Sequence, residues 1–179
     1  MTDEQIMNLV RNGDLAKSSV LFNRYKVPIY NFFLRITYDR TVSEDLTQSV
    51  FERMIRYRNS YQPGKAFRAW IYQIARNIKA DHFRKSNRVQ FTNIETQQIK
   101  LIESNVSDEI EFKERSKNLE RALAKLNQEQ REVLLLTRYQ KLKYIDVAKL
   151  LNCSEGAVKV KVHRAIKELR KIYLKIDAL

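Results

Sequence analysis

The stretch YIDVAKLLNCSEGAVKVKVHRAIKEL, residues 144–169, has the layout of two helices joined by a short turn. Ala148 is small where the two helices would cross closely, and residues 152–154 separate the two apolar patterns. Ser154 is a good N-cap for the second helix, and the acidic Glu155 suits its first turn. The stretch therefore predicts a helix-turn-helix.

The second of these helices is predicted to have one buried face and one cationic face. Apolar residues step by three and four along the buried face, from Val158 to Ile176. Such a helix fits the major groove of DNA, where long cations contact phosphates and nearer side chains read base edges. A basic face that is merely solvated is the alternative. The polar face holds Gly156, Val160, His163, Arg164 and Lys167, flanked by Lys159 and Lys161.

The composition of the 179-residue chain also favours a nucleic-acid partner. Its formal net charge is +13 and its pI is near 9.9, which indicates nucleic acid or an anionic surface as a partner. No apolar run approaches the ~20 residues of a membrane-spanning helix. The acidic start, residues 1–4, lacks the pattern of a signal peptide. We therefore expect a cytoplasmic protein that does not insert into membranes.

The residue inventory argues against an enzyme. The two histidines, His82 and His163, fall in different halves of the chain without a partner at metal-binding spacing. The one cysteine, Cys153, excludes an intrachain disulfide, and the sequence has no glycine-rich phosphate loop. We expect no catalytic site, no metal, no cofactor and no small-molecule substrate.

An all-α fold is expected, because 3 glycines and 2 prolines provide for few turns. Pro28 interrupts a long apolar stripe, so we expect a kink or a break in the second helix there. Thr41 and Glu44 have the spacing of a capping box that opens a third helix. The other expected boundaries are a first helix ending near residues 12–13, a loop at 59–66 and a fourth helix from about Phe67 to Lys85.

The charge of the sequence changes sign near the middle of the chain. Residues 89–112 hold five acids against one lysine, a net charge of −4 in a chain that carries +13. The pattern predicts a flexible acidic linker at 89–112 between two small basic domains at 1–88 and 113–179.

Two motif sets carry a family resemblance. SEDLTQSVF at 43–51 and FRAWIYQIARN at 67–77, followed by Asp81 and Arg84, resemble region two of the extracytoplasmic-function (ECF) RNA polymerase sigma factors. Residues 126–169 resemble region four of the same family. The resemblance implies two helical domains on a flexible tether, and a protein that binds core RNA polymerase and directs transcription initiation at specific promoters. It also implies an anti-sigma factor as a partner. A stand-alone helix-turn-helix regulator is the alternative.

The resemblance implies a role for each region. The predicted third helix would dock on the clamp helices of the polymerase. A solvated face is the alternative for the polar residues of this helix. The loop at 59–66 and the helix after it would recognise and open the minus-10 element. Tyr61 would stack on an unpaired base, whereas Phe67 and Trp70 are expected in the core. Asp81 would orient Arg84. The polymerase-binding residues would be Asp45, Gln48, Phe51, Glu52 and Arg53; the minus-10 residues would be Asn59, Tyr61, Arg76, Asn77, Lys79, His82, Arg84 and Lys85.

The helix-turn-helix would bind the minus-35 element in duplex form. Val160 is expected to contact a thymine methyl group or the groove floor, and Arg131 and Tyr144 would add contacts to the DNA backbone. The acidic linker would either enter the positively lined channel of the polymerase or serve only as a soluble tether. The minus-35 residues would be Arg131, Tyr144, Ser154, Glu155, Gly156, Ala157, Lys159, Val160, Lys161, His163, Arg164 and Lys167.

Overall fold

The computed structural model describes the backbone of residues 1–89 and 110–178, and the side chains of residues 1–85 and 114–178. The chain divides into two compact units, Met1–Gln97 and Gln98–Leu179. All regular elements among the described residues are helical, which confirms the expected all-α fold. The acids predicted to form the linker lie outside the residues whose side chains are described.

The first unit is a bundle of four α-helices. The helix α2 packs against α3, α3 packs against α4, and α1 contacts both α2 and α4. Fully buried rings and aliphatic chains from all four helices form the core, including Phe32, Phe33 and Tyr72. The helices are α1 (Asp3–Arg11), α2 (Ser18–Thr37), α3 (Arg40–Arg56) and α4 (Phe67–Val89), with 3₁₀ turns at Leu15–Lys17 and Arg58–Ser60.

Two expectations for this unit change with the structure. Of the kink or break expected at Pro28, the structure excludes the break, because α2 runs through this residue. Ile29 and Phe32, on the turn that follows, are fully buried. Burying each of these side chains contributes about 1.5–3 kcal/mol. The two contributions together offset the ~3 kcal/mol cost of a proline inside a helix. The N-cap of α3 is Asp39, whose carboxylate accepts a hydrogen bond from the Val42 N–H at 2.9 Å, instead of Thr41.

The second unit is built around its last helix. This helix, α8, packs against α5, α6 and α7, and its buried Val158, Val162 and Ala165 meet a leucine-rich core. A π-helical turn, Leu135–Tyr139, follows α6 and was not expected from the sequence. The helices are α5 (Ile110–Lys125), α6 (Gln128–Leu134), α7 (Tyr144–Leu150) and α8 (Glu155–Asp177). Residues 110–112, expected at the end of the linker, already belong to α5.

Candidate polymerase and nucleic-acid interfaces

The helix-turn-helix is formed by α7 and α8. Asn152 in the turn has a φ of +50°, a left-handed conformation that asparagine tolerates better than most residues. The Cys153 N–H donates back to the Ala148 carbonyl at 3.0 Å and closes the turn. The Ser154 hydroxyl oxygen accepts from the Ala157 N–H at 3.1 Å, which confirms the predicted N-cap.

The face of α8 opposite the core is open to solvent. Val160 is 49% exposed, although it is apolar and lies among charged residues. Two of the flanking lysines contact carboxylates: Lys159 lies 3.3 Å from Glu155, and Lys161 lies 3.4 Å from Glu129. Exposed ion pairs of this kind contribute about 1 kcal/mol at most, so both ammonium groups can exchange a carboxylate for a phosphate. The exposed face carries Gly156, Val160, His163, Arg164 and Lys167, as predicted.

Arg131, predicted as a DNA contact, binds carbonyl oxygens of its own unit. Its guanidinium group donates to the carbonyl oxygens of Leu123, Ala124 and Leu126, at 3.0, 2.5 and 2.8 Å. These carbonyls belong to the end of α5 and the residue after it, where helical carbonyls lack intrahelical partners. Arg131 therefore holds α5 to α6 through its Nε and one of its Nη groups.

Tyr144 lies at the first position of α7 and is half-buried. Its hydroxyl oxygen accepts a hydrogen bond from the guanidinium group of Arg138, 3.5 Å away. Arg138 is exposed and was not predicted as a DNA contact from the sequence. The pair places a cation and a hydroxyl group at the start of the helix-turn-helix.

In the first unit, α3 presents a row of polar side chains. Asp45, Gln48 and Glu52 are all exposed and are spaced by three and four, so they share one face of the helix. We call these three residues the α3 ridge. The other face of α3 is buried through Leu46, Val50 and Met54. The helix is therefore anchored by its apolar face and leaves a continuous acidic and polar edge in solvent.

Phe51 was wrongly assigned to this polymerase-binding surface. Its side chain is only 6% exposed and packs edge-on against Phe22, with ring centroids 4.8 Å apart. Arg53 is half-buried, and its guanidinium group lies 3.0 Å from the carboxylate of Asp81 in α4. Phe51 and Arg53 thus hold α3 against its neighbours in the bundle.

Asp81 links two arginines at the groove between α3 and α4. It contacts Arg84 at 3.3 Å, as predicted, and Arg53 at 3.0 Å, which was not predicted. The groove has a volume of about 300 Å³. Its polar lining adds Arg56, a further cation that the sequence reasoning missed; the full lining is Leu46, Ser49, Glu52, Arg53, Arg56, Ile78, Asp81, His82 and Lys85.

The loop before α4 is an exposed segment between two buried rings. Residues 62–66 are all exposed, whereas Tyr61 and Phe67 on either side are fully buried. The Lys65 N–H donates to the Gln62 carbonyl at 3.2 Å, and Gly64 has a φ of +81°. Pro63 followed by Gly64 suits a type II turn, in which the third residue needs a positive φ. We call residues 62–66 the α4 loop.

Tyr61 was wrongly predicted as the aromatic ring that stacks on a base. It is 1% exposed, and its hydroxyl group donates to the Lys65 carbonyl at 2.5 Å. The ring packs edge-on against Phe67 and Trp70, with centroids 6.2 and 5.3 Å away. Burial raises the pKa of the Tyr61 hydroxyl. Phe67 lies in the core, as expected.

The cations predicted along the minus-10 region differ in accessibility. Lys79 was wrongly placed there, because it is 8% exposed and lies within the bundle. Arg76 and His82 are half-buried. The amide group of Gln73 donates to the side chain of Asn77 at 3.0 Å and so orients it. The predicted residues that are exposed are Asn59, Asn77, Arg84 and Lys85.

Each of the two units matches a family of known proteins. Residues 21–89 match the family described as Sigma-70 region 2, and residues 116–169 match Sigma-70, region 4. The chain is 32% identical over 129 residues to the ECF RNA polymerase sigma factor EcfG of Rhodopseudomonas palustris, covering 71% of this chain and 68% of that relative. The chain belongs to the ECF RNA polymerase sigma factors.

Other similarities extend over more of the chain. ECF sigma factor SigW of Bacillus subtilis is 27% identical over 171 residues, which is 90% of this chain and 91% of SigW. The solved structure of the sigma factor RpoE from Bartonella quintana, in complex with the anti-sigma factor NepR, has a TM-score of 0.72 and 24% identity. It covers 89% of this sigma factor and 97% of RpoE, and it supports the helical fold.

Family membership decides between the functions expected from the sequence. This sigma factor directs transcription initiation at promoters and is not a stand-alone helix-turn-helix regulator. The matching relatives are sigma factors and not enzymes. Among the residues whose side chains are described, no cluster of His, Cys, Asp and Glu could hold a metal ion. Every helix in the same part of the chain is too short or too polar to span a bilayer.

Proposed function

We propose that this sigma factor holds core RNA polymerase through the α3 ridge and reads the promoter at two separate elements. The domain at 1–88 would bind the polymerase and the minus-10 element, the linker at 89–112 would connect the domains, and the domain at 113–179 would bind the minus-35 element. The α3 ridge carries this proposal. Its three exposed polar side chains form one row on a helix whose opposite face is anchored in the core.

The α3 ridge suits a charged partner helix. Asp45 and Glu52 supply carboxylates at its two ends, and Gln48 supplies both a donor and acceptors between them. The apolar residues on the other face hold α3 in place, so the ridge is ordered before the partner arrives. A preformed surface loses less conformational entropy on binding.

The minus-10 element would be bound by the α4 loop and the exposed face of α4. Arg84 and Lys85 would attract the DNA backbone, and the side chains of Asn59 and Asn77 would offer donors and acceptors to bases. Tyr57 replaces Tyr61 as the aromatic residue for stacking, because its ring is 51% exposed and lies two residues before Asn59. Stacking on one ring contributes about 1–3 kcal/mol per base.

The minus-35 element would lie against the exposed face of α8. Arg164, Lys167 and His163 would contact phosphates and base edges in the major groove, with Val160 against the groove floor. Arg138 and Tyr144 would add a contact to the DNA backbone from the start of α7. Neither domain alone offers a large footprint, so strong binding would require both on one polymerase.

Reciprocal substitutions test the division of labour between the two domains. Asp45→Ala should weaken capture of core RNA polymerase about tenfold, as expected for a contact to a charged group worth about 1.5 kcal/mol, and leave binding of minus-35 duplex unchanged. Arg164→Ala should do the reverse, weakening minus-35 binding on all sequences and reducing its dependence on salt. Fluorescence anisotropy with labelled core enzyme and labelled duplex measures both quantities. Equal loss of both activities in either variant would contradict the assignment.

We also propose that the sigma factor acts in the cytoplasm and that an anti-sigma factor restrains it. Support comes from large apolar side chains left in solvent, among them Val27 in the first unit and Leu174 in the second. The fold is shared with RpoE, which was solved bound to an anti-sigma factor. A protein that binds this sigma factor and displaces it from core polymerase would satisfy the proposal.

A further inference from the structure

The first turn of α4 takes its cap from another helix. The residue before α4 is Ala66, whose side chain has no oxygen to accept from the backbone N–H groups that a helix leaves free at its start. The Phe67 N–H donates instead to the Glu4 carboxylate at 3.1 Å, across 63 residues of sequence. A carboxylate at this point also interacts favourably with the positive end of the helix dipole.

The neighbouring acid in α1, Asp3, also acts on the start of α4. The Asp3 carboxylate accepts hydrogen bonds from the Tyr25 hydroxyl group and the Arg24 guanidinium group. The Tyr25 ring packs edge-on against Phe67, with centroids 5.1 Å apart. Burial, together with the bond to Asp3, raises the pKa of Tyr25 to about 12. Asp3 and Glu4 therefore act on one residue, Phe67, from two directions.

The helix that carries these acids is itself firmly placed. Thr2 and Gln5 form a reciprocal capping box at the start of α1. On the packed face of α1, Ile6, Met7 and Val10 are buried in the core of the bundle. The Glu4 carboxylate is thus held on a short rigid helix, so it can fix the position of a more distant backbone group.

The α4 loop is consequently restrained at both ends. The Tyr61 side chain lies inside the bundle, and its hydroxyl group donates to the Lys65 carbonyl. Glu4 approaches from α1 and fixes the N–H of Phe67, the residue that follows the loop. Between these two contacts lie five exposed residues with one turn among them. The shape of the loop therefore depends on α1 as well as on its own sequence.

We propose that Glu4 is a positioning residue for minus-10 recognition: through the Phe67 N–H it sets the α4 loop in the conformation that selects the base. The inference depends on the proposed role of this loop in reading the minus-10 element. Without the carboxylate, α4 would lose its first-turn cap and the loop would sample several conformations. Wrong bases would then be accepted nearly as well as the right one, since discrimination requires a fixed arrangement of donors and acceptors.

The test measures base discrimination by the intact holoenzyme. Core polymerase is loaded with wild-type protein, with Glu4→Ala, which removes the acceptor of the Phe67 N–H, or with the control Asp14→Ala, which removes an exposed carboxylate in the same unit. Each holoenzyme opens a promoter selected by the wild type, and the same promoter with one minus-10 base replaced. Permanganate reactivity of unpaired thymines reports opening. We expect Glu4→Ala to lower the ratio of the two opening rates by about three- to fivefold, as for the loss of a helix cap worth ~1 kcal/mol, and Asp14→Ala to leave the ratio unchanged.

The ratio separates positioning from a general loss of folded protein. A smaller active fraction lowers both opening rates equally and leaves their ratio unchanged, so an unchanged ratio for Glu4→Ala overturns the proposal. Tyr61→Phe provides a second variant that keeps the buried ring and removes only the bond to Lys65. It should lower the ratio as well, because it releases the other anchor of the loop. If Glu4→Ala fails to fold, Glu4→Gln, which keeps an acceptor oxygen and removes the charge at the start of α4, carries the test with a smaller expected decrease.

A further variant distinguishes this inference from the proposed function. Replacing Gln62 and Lys65 together by alanine changes the exposed surface of the α4 loop and keeps both of its anchors. If this double variant retains full discrimination, the loop does not read the minus-10 element and both proposals fail. If the double variant loses discrimination while Glu4→Ala matches Asp14→Ala, only the positioning role of Glu4 fails.

Discussion

The two surfaces assigned to DNA are built in different ways. The minus-35 face lies on α8, a regular helix of 23 residues whose shape follows from local hydrogen bonds and one cap at Ser154. The α4 loop has one internal turn, and its shape depends on Tyr61, Phe67 and Glu4. The first surface is local in sequence, whereas the second requires contacts across the whole first unit.

This difference fits the two forms of DNA proposed for the two surfaces. A duplex groove presents a regular array of base edges, and a straight helix can follow it with side chains alone. An unpaired base has left the stack and must be received by a pocket or loop of defined shape. Core substitutions should therefore damage the α4 loop far more than the α8 face, and surface substitutions should affect the α8 face without affecting folding.

The largest effect is expected for Phe67→Ala. The ring is fully buried and contacts the rings of Tyr25, Tyr61 and Trp70, so its loss should lower the free energy of unfolding of the first unit by about 3–5 kcal/mol. Trp70 is the only tryptophan in the chain, so urea unfolding followed by its fluorescence reports on this unit. Phe22→Ala, which removes a ring that is 42% exposed, is the control and should cost much less. Equal losses would show that the loop does not depend on the core as argued.

An intermediate effect is expected for Ser154→Ala. The substitution removes the side-chain acceptor of the Ala157 N–H and should cost about 1 kcal/mol of stability in the second unit. Amide hydrogen exchange in the first turn of α8 should speed up, while the Trp70 fluorescence transition should stay in place. Ser154→Asp restores an acceptor and should recover most of the protection. An effect that spread to the first unit would contradict the local construction of α8.

The sequence predicted the fold well because the fold depends on local signals. The apolar spacing located the helices, and Ser154 marked the start of α8 by its chemistry alone. The unbroken helix α2 and the misplaced cap of α3 show where tertiary burial or a neighbouring residue outweighed a local signal. Pro28 was outweighed by buried side chains in the same helix, and Asp39 capped α3 two residues before Thr41.

The site residues were harder to predict because exposure depends on tertiary packing. Tyr61, Phe51, Lys79 and Arg131 are of residue types that bind nucleic acid or protein partners, yet each side chain is buried or occupied within its own unit. The capping of Phe67 by Glu4 spans 63 residues and leaves no periodic trace in the sequence. By contrast, the exposed face of α8 was predicted from the helical period alone. The opposite face of this helix packs on a single core, so the period decides which residues stay exposed.

The smallest effect on stability, and the most specific effect on recognition, is expected for Val160→Ser. The side chain is half exposed, so the free energy of unfolding should change by no more than about 0.5 kcal/mol. If Val160 contacts a thymine methyl group, its loss should reduce the preference for that base about fourfold at one position, as for ~0.8 kcal/mol per methyl-sized apolar contact. Selection of minus-35 sequences by the holoenzyme measures the preference, and Ile166→Ser removes a comparably exposed aliphatic side chain of α8 from outside the recognition face. A fourfold change confined to one base pair would show that α8 reads sequence by a side chain that folding does not require. An unchanged preference would leave to α8 only contacts that are independent of sequence, and the contrast with the α4 loop would then lie in specificity as well as in construction.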